Sequence, residues 1–135
     1  MSKDLNKKIY RILDANFNRL KEGLRVGEEV CRFLLDNDYL TRRFKTIRHK
    51  SSDALKALPL GFKEIAKSRD SESDVGKGYS KLELDRKNIL DIFSANIQRA
   101  KESLRVLEEF TKIINPNVSL KFKALRYEIY SLEKD

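Results

Sequence analysis

A chain of 135 residues accommodates one domain, or two very small repeats sharing a core. Two prolines and five glycines argue against an all-β sandwich; one cysteine, Cys31, excludes an internal disulfide, and with a single histidine, His49, argues against a zinc site. Twenty-nine Lys and Arg against 21 Asp and Glu give a net charge of +8, which suggests anionic partners: nucleic acid, an acidic surface or phosphorylated small molecules.

The first predicted element is a long helix over about residues 4–36. On a wheel at about 100° per residue, Ile12, Ala15, Leu20, Val26, Val30, Cys31, Phe33 and Leu34 form its apolar arc. Phe33-Leu34-Leu35 is the longest unbroken apolar run, so neither a membrane span nor a signal-peptide core is expected, and the expected location is cytoplasmic. Asp36-Asn37-Asp38 reads as a capping turn. A second helix, about 39–57, carries Leu40, Phe44, Ile47, Ser51, Ala54 and Leu58 at steps of four and three. A non-repeated stretch of about 59–83 follows, with the apolar segment Phe62 to Ala66 and the polar run Ser68 to Ser80. The third helix is expected over about 84–114. After Asn115-Pro116-Asn117, where Pro116 opens a helix, the fourth spans about 117–133 with Val118, Phe122, Leu125, Ile129 and Leu132 on one face.

The strongest signal is internal. Residues 12–34 align without gaps on 92–114, at an offset of 80. Asn16, Arg19, Glu22, Arg25 and Glu28-Glu29 recur as Asn96, Arg99, Glu102, Arg105 and Glu108-Glu109, and Phe44 to Arg48 recurs as Phe122 to Arg126. Two such hairpins bury their apolar faces only against each other. The expected fold is therefore an all-α, pseudo-twofold four-helix bundle in one domain, residues 1–135, with halves of about 4–57 and 84–133.

On the wheel, Asn16 falls near the middle of the apolar arc and Arg19 inside it, and the repeat puts Asn96 and Arg99 in the same places. Buried amides and guanidinium groups cost free energy unless paired. One reading is an ion-pair lattice that fixes how the hairpins dock, with Glu22 one turn from Arg19 and Glu29 one turn from Arg25. The other is a cationic cleft on the pseudo-axis for anionic oxygens, lined by Asn16, Arg19, Asn96 and Arg99 and flanked by Arg48 and Arg126.

The loop Arg69 to Gly78 carries acidic residues at alternate positions. Asp70 and Asp74 suit Mg²⁺, and Gly76-Lys77-Gly78 lets backbone amides approach phosphate. The pattern matches neither a calcium loop nor a Walker A loop. Gly23 and Gly27 read as sites of close helix contact, Cys31 as a small core residue and His49 as exposed.

The repeated Asn-Arg-Glu-Arg helix, RRFKTIRH at 42–49 and SRDSESDVG at 68–76 together resemble one family. It is the small helical domain found fused to the N-terminus of thiamine-phosphate synthase, or standing alone, and assigned as a hydroxymethylpyrimidine-phosphate kinase. The resemblance covers nearly the whole chain. It implies ATP-dependent phosphorylation of hydroxymethylpyrimidine phosphate to the diphosphate, with ATP and Mg²⁺ as cofactors. As motif positions it carries over Asn16, Arg19, Glu22, Arg25, Arg48, Arg69, Asp70, Asp74, Gly76, Asn96, Arg99, Glu102 and Arg105. Within that set Arg19, Arg69 and Arg99 are expected to clamp phosphates. Asp70 and Asp74 are expected to hold the metal or orient the acceptor, and the others to bind substrate or nucleotide. The sequence ends at Asp135 without a phosphate-binding barrel, so a kinase domain rather than the synthase is expected. Thiamine-phosphate synthase and a second copy of the chain are the expected protein partners. Two rival readings stand beside the kinase: a non-catalytic, pyrimidine-phosphate-binding partner of the synthase, and a basic nucleic-acid-binding bundle.

Overall fold

A computed structural model of the chain describes residues 3–58, 69 and 87–134. The expectations placed on Phe62 to Ala66, Asp70, Asp74, Gly76, Lys77 and Gly78 lie outside the described residues. Those described form α1 (Lys3–Glu29) with a π-helical turn (Val30–Leu34), α2 (Asp38–Lys56), α3 (Ile89–Thr111) and α4 (Pro116–Lys134), with no strand among them. Helix α1 lies against α3 along the longest seam, α2 against α4, and each helix also against its hairpin partner. The all-α, pseudo-twofold four-helix bundle is thus the observed architecture.

Each helix buries one stripe stepped by three and four. In α1 it runs Leu13, Phe17, Leu20, Leu24, Gly27 and Cys31, and in α3 Ile97, Ala100, Leu104, Leu107 and Thr111. In α4 the five expected residues, Val118 to Leu132, are all buried, and in α2 Phe44 to Leu58 are, with Leu40 packed against the core. Alternating steps of three and four average 3.5 residues, the period of helices that wrap around one another. That period corrects the wheel reading of α1. A 100° wheel drifts by about 20° per heptad against a 3.5-residue stripe. Ile12, Ala15 and Val26 are consequently half-buried, and Arg19, expected inside the arc, is exposed. Phe33 and Leu34, also expected in the arc, are 60% and 57% exposed. The cause is the π-helical turn, in which the Leu35 amide donates to the Val30 carbonyl at 3.0 Å, five residues back; the wider turn carries these side chains outward.

The termini follow local chemistry. The chain leaves the π-helical turn through Asp36, in the left-handed region at φ 49°, which short polar side chains tolerate. Asn37 then caps α2, its Oδ1 accepting from the Leu40 amide at 3.0 Å. Pro116 opens α4 as expected. Helix α3 begins at Ile89 rather than near residue 84, because Asn88 caps it by accepting from the Asp91 amide at 2.9 Å.

Both core glycines sit where helices approach closely. A Cβ on Gly23 would lie 2.7 Å from the Asn96 carbonyl oxygen, and one on Gly27 would lie 2.7 and 2.8 Å from two atoms of the Phe44 ring. An alanine at Gly23 must push α1 away from the α3 backbone. Overpacking costs about 1–3 kcal/mol, against about 1 kcal/mol gained in helix propensity. Gly23→Ala and Gly27→Ala are therefore expected to lower the chemical-denaturation midpoint; a midpoint that rises would show that the seam relaxes freely.

Cys31 is fully buried, and burial pushes its thiol above the ordinary range. At pH 8 a thiol reagent is expected to label Cys31 only as the bundle opens, far below the rate of an unfolded control; labelling at the free-thiol rate would contradict the placement. His49 is exposed, as expected. No helix among the described residues is long and apolar enough to cross a membrane.

Candidate functional site

A cleft of about 630 Å³ opens along α1 between Lys8 and Glu22. Lys8, Arg11, Ile12, Ala15, Asn18, Arg19 and Glu22 lie on its wall. They form a second row stepped by three and four, beside the buried stripe, so one helix presents them all to one side. Asn16 and Asp14 lie at the buried edge. Two residues join from elsewhere. Arg99 comes from α3, brought alongside by the close approach at Gly23, and Arg69 is held by Asp14.

The Asp14–Arg69 contact is a two-pronged pair. Arg69 Nε donates to Asp14 Oδ2 at 2.8 Å and its Nη2 donates to Oδ1 at 2.8 Å. Those hydrogen bonds, and next the carboxylate's charge, raise the Arg69 guanidinium above its ordinary value. Asn18 Nδ2 adds a 3.3 Å bond to Asp14 Oδ1.

Five cations (Lys8, Arg11, Arg19, Arg69 and Arg99) thus surround the cleft, against the carboxylates Asp14 and Glu22. Lys8, Arg11, Arg19 and Arg99 have no ion pair or hydrogen bond to another described residue. Elsewhere on the bundle, cations are commonly paired: Arg42 with Asp38 at 2.9 Å, Lys50 with Glu128 at 3.1 Å and Lys101 with Glu133 at 2.7 Å. The cleft therefore gathers cationic groups whose charge is not neutralised by their described neighbours.

The sequence-predicted residues divide into two sets. Asn16, Arg19, Glu22, Arg69 and Arg99 meet at the cleft. Asn96 does not line it; its Nδ2 folds back to the Ile92 carbonyl at 2.7 Å, as Asn16 Nδ2 does to Ile12 at 2.9 Å. One of the two N–H donors of each amide is thereby used within its own helix, which weakens the argument that these amides require a ligand. Arg19 and Arg99 are exposed rather than buried, so hydration satisfies them and packing gives no cost to explain. Glu102 is exposed and accepts from Gln98 Nε2 at 3.0 Å.

Arg25, Arg48, Arg105 and Arg126 form the ion-pair lattice instead. Arg48 Nη2 lies 3.2 Å from buried Glu28, and Arg126 Nη2 lies 2.9 Å from buried Glu108. Arg25 adds contacts to Glu28 at 3.6 Å and Glu29 at 3.3 Å, and Arg105 repeats them on Glu108 at 3.3 Å and Glu109 at 3.1 Å. The expectation that Arg48 and Arg126 flank the cleft is corrected: each reaches across its own hairpin to a buried carboxylate. Among the described residues no group of three or more His, Cys, Asp or Glu could hold a metal ion.

Lys8, Arg11, Asp14 and Asn18 escaped the sequence reading. The alignment of the halves singles out identities, whereas Asp14 and Asn18 fall opposite Ser94 and Gln98, and Lys8 and Arg11 lie ahead of the aligned residues, 80 positions before Asn88 and Asp91. The cleft runs mainly along the first copy: the second contributes Arg99 but has no counterpart of Lys8, Arg11 or Asp14.

The fold is a duplicated helical bundle with a cleft lined by cations that their described neighbours do not neutralise. The chain belongs to the ThiD2 family, whose model matches residues 11–135. It is 40% identical over 128 residues to the thiamine-phosphate synthase of Nostoc punctiforme, covering 94% of this chain and 35% of that protein. It is 40% identical over 126 residues to that of a Synechocystis species (93% and 35%), and 36% identical over 124 residues to that of Rhodopirellula baltica (91% and 32%). The chain thus spans about a third of the length of the curated relatives it matches. No solved structure matches it.

Proposed function

We propose that the chain is the kinase of its family, transferring the ATP γ-phosphoryl group to hydroxymethylpyrimidine phosphate. The observation that carries this reading is the gathering of Lys8, Arg11, Arg19, Arg69 and Arg99 around one cleft. Family membership and the thiamine-phosphate synthase relatives supply the metabolic context. In the proposed step an oxygen of the acceptor monophosphate attacks the γ-phosphorus, a new P–O bond forms, and the bond to the β-phosphate oxygen breaks to release ADP. Two polyanions must approach each other, so positioning and charge neutralisation carry most of the catalysis. Arg19 and Arg99 would clamp phosphate oxygens from opposite helices, and Arg69 would do so from its anchor on Asp14. Asn16, with one amide N–H used on the Ile12 carbonyl, would offer its carbonyl oxygen to the pyrimidine's amino group. Mg²⁺ would be held by Asp70 and Asp74 and would screen the phosphate charges.

Purified protein with ATP is expected to convert the monophosphate to the diphosphate and to leave the unphosphorylated alcohol unchanged. A second reading, a non-catalytic pyrimidine-phosphate-binding domain that serves thiamine-phosphate synthase, is favoured by the names of the relatives. Binding of the monophosphate without ATP turnover would select it. Salt-sensitive binding to random duplex DNA, without either, would select a nucleic-acid-binding bundle.

A further inference from the structure

The only described residue between Leu58 and Lys87 is Arg69, and it is tied to α1 by the Asp14 pair. Asp14 is buried at 8% exposure, whereas the Arg69 side chain is 54% exposed. The carboxylate is therefore the fixed member and the guanidinium the presented one. A fork of this kind holds the plane and direction of the guanidinium as well as its position. Two of its five N–H donors are taken by Asp14; the other three bond to no other described residue, and Arg69 lines the cleft.

Nothing in helix packing demands a carboxylate at this position. The repeat supplies a comparison inside the same molecule: Ser94 stands at the equivalent place on α3 and is exposed. A carboxylate beside a site for anions also carries a cost, since it repels the ligand that the surrounding cations attract. We propose that Asp14 is a positioning residue, whose buried carboxylate aims Arg69 at the cleft so that its outer N–H groups meet an oxygen of a phosphate-bearing ligand. Asp14 touches the ligand nowhere in this arrangement; it acts through Arg69. The inference rests on the cleft being the phosphate site and deepens that reading by fixing where one of its cations points.

The two roles open to a carboxylate here predict opposite signs. If Asp14 is only a negative charge near the site, Asp14→Asn tightens anion binding by removing repulsion. If it aims Arg69, the same change weakens binding, by about five- to tenfold, because the guanidinium swings free. The probe is inorganic pyrophosphate, measured by calorimetry on the full chain at fixed ionic strength, with KM and kcat for the monophosphate read in parallel. Arg69→Met provides the second variant; because it leaves Asp14 without its partner, its helical signal and denaturation midpoint are measured beside the parent's. In that background Asp14→Asn is expected to have no further weakening effect, and in the parent background to raise KM more than it lowers kcat. Pyrophosphate affinity that is unchanged or tighter in Asp14→Asn overturns the positioning role. So does equal weakening in the presence and absence of Arg69. A parent that binds pyrophosphate without turning over the monophosphate removes the kinase reading and leaves this inference to the affinity ratio. A parent that does not bind pyrophosphate overturns this inference, and one that also fails to turn over the monophosphate overturns the kinase reading with it.

Discussion

Glu108→Leu is expected to destabilise the bundle by about 3–5 kcal/mol, the cost of removing one partner of a buried ion pair. The Glu108 side chain is 4% exposed and Arg126 is 11% exposed. Two donors of Arg126 converge on Glu108 Oε1, Nε at 3.2 Å and Nη2 at 2.9 Å. Leucine would leave that guanidinium enclosed, with the Tyr130 hydroxyl, 3.4 Å from its Nη1, the faces of Tyr127 and Tyr130 and the charge of Glu109 as compensation. The first half provides an internal control. Glu28 is as deeply placed, but its partner Arg48 is 22% exposed and reaches water more easily. Glu28→Leu is therefore expected to cost less than Glu108→Leu. Adding Arg126→Met to Glu108→Leu is expected to restore much of the loss, because it removes the stranded charge. Urea denaturation of the single and double variants measures all three. Equal and small losses at both sites, under about 1 kcal/mol, would mean that the pairs behave as surface salt bridges.

The same pairs show why half of the site was legible in the sequence and half was not. Arg25, Arg48 and Arg105 were singled out with Arg19 and Arg99 because all recur between the two copies. Recurrence marks whatever both copies need, and what both need is the lattice: Glu28–Arg48 and Glu108–Arg126 occupy equivalent places in the two hairpins. Arg19 and Arg99 recur too and meet at the cleft, but its other charged groups, Lys8, Arg11 and Asp14, belong to one copy alone. Asp14 against Ser94 is visible in the alignment as a mismatch, whereas Arg11 lies just ahead of the aligned residues, opposite Asp91, whose amide meets the α3 cap. The fold was readable because alternating steps of three and four survive in α2 and α4 without interruption, and because Asn37 and Pro116 mark helix starts by their own chemistry. The outward turn of Phe33 and Leu34 was not readable, since a π-helical turn inserts one residue into a period that the apolar pattern otherwise keeps. The third helix starts late for a related reason: Asn88 competes for the backbone as a cap, and a local cap overrides the apolar pattern ahead of it.

Arg19→Met and Arg99→Met are each expected to weaken pyrophosphate and ATP binding by about 10- to 100-fold, the range of a lost charge-assisted hydrogen bond, without changing the helical signal. Both side chains are exposed, so neither contributes to the core and neither leaves a buried partner behind. Methionine keeps most of the aliphatic length and removes only the charge and the fork. The two residues are repeat equivalents on α1 and α3 that line one cleft, so a bound polyphosphate can be gripped from two helices. Their surroundings differ: Arg19 stands in the row with Lys8 and Arg11, whereas the residues 80 positions on from those two are Asn88, the cap of α3, and Asp91 in its first turn. Losing Arg19 leaves neighbouring cations on the same helix to compensate, while losing Arg99 removes the only described cation that α3 contributes. Arg99→Met is therefore expected to have the larger effect. Arg42→Met is the control, because Arg42 is just as exposed but is paired with Asp38 at 2.9 Å on a different helix. It is expected to leave binding within about twofold of the parent, since screening at about 0.15 M salt confines surface charges to about 8 Å. If Arg42→Met weakens binding as much as Arg99→Met does, the bundle attracts anions through its net charge of +8 and the cleft has no special part in it.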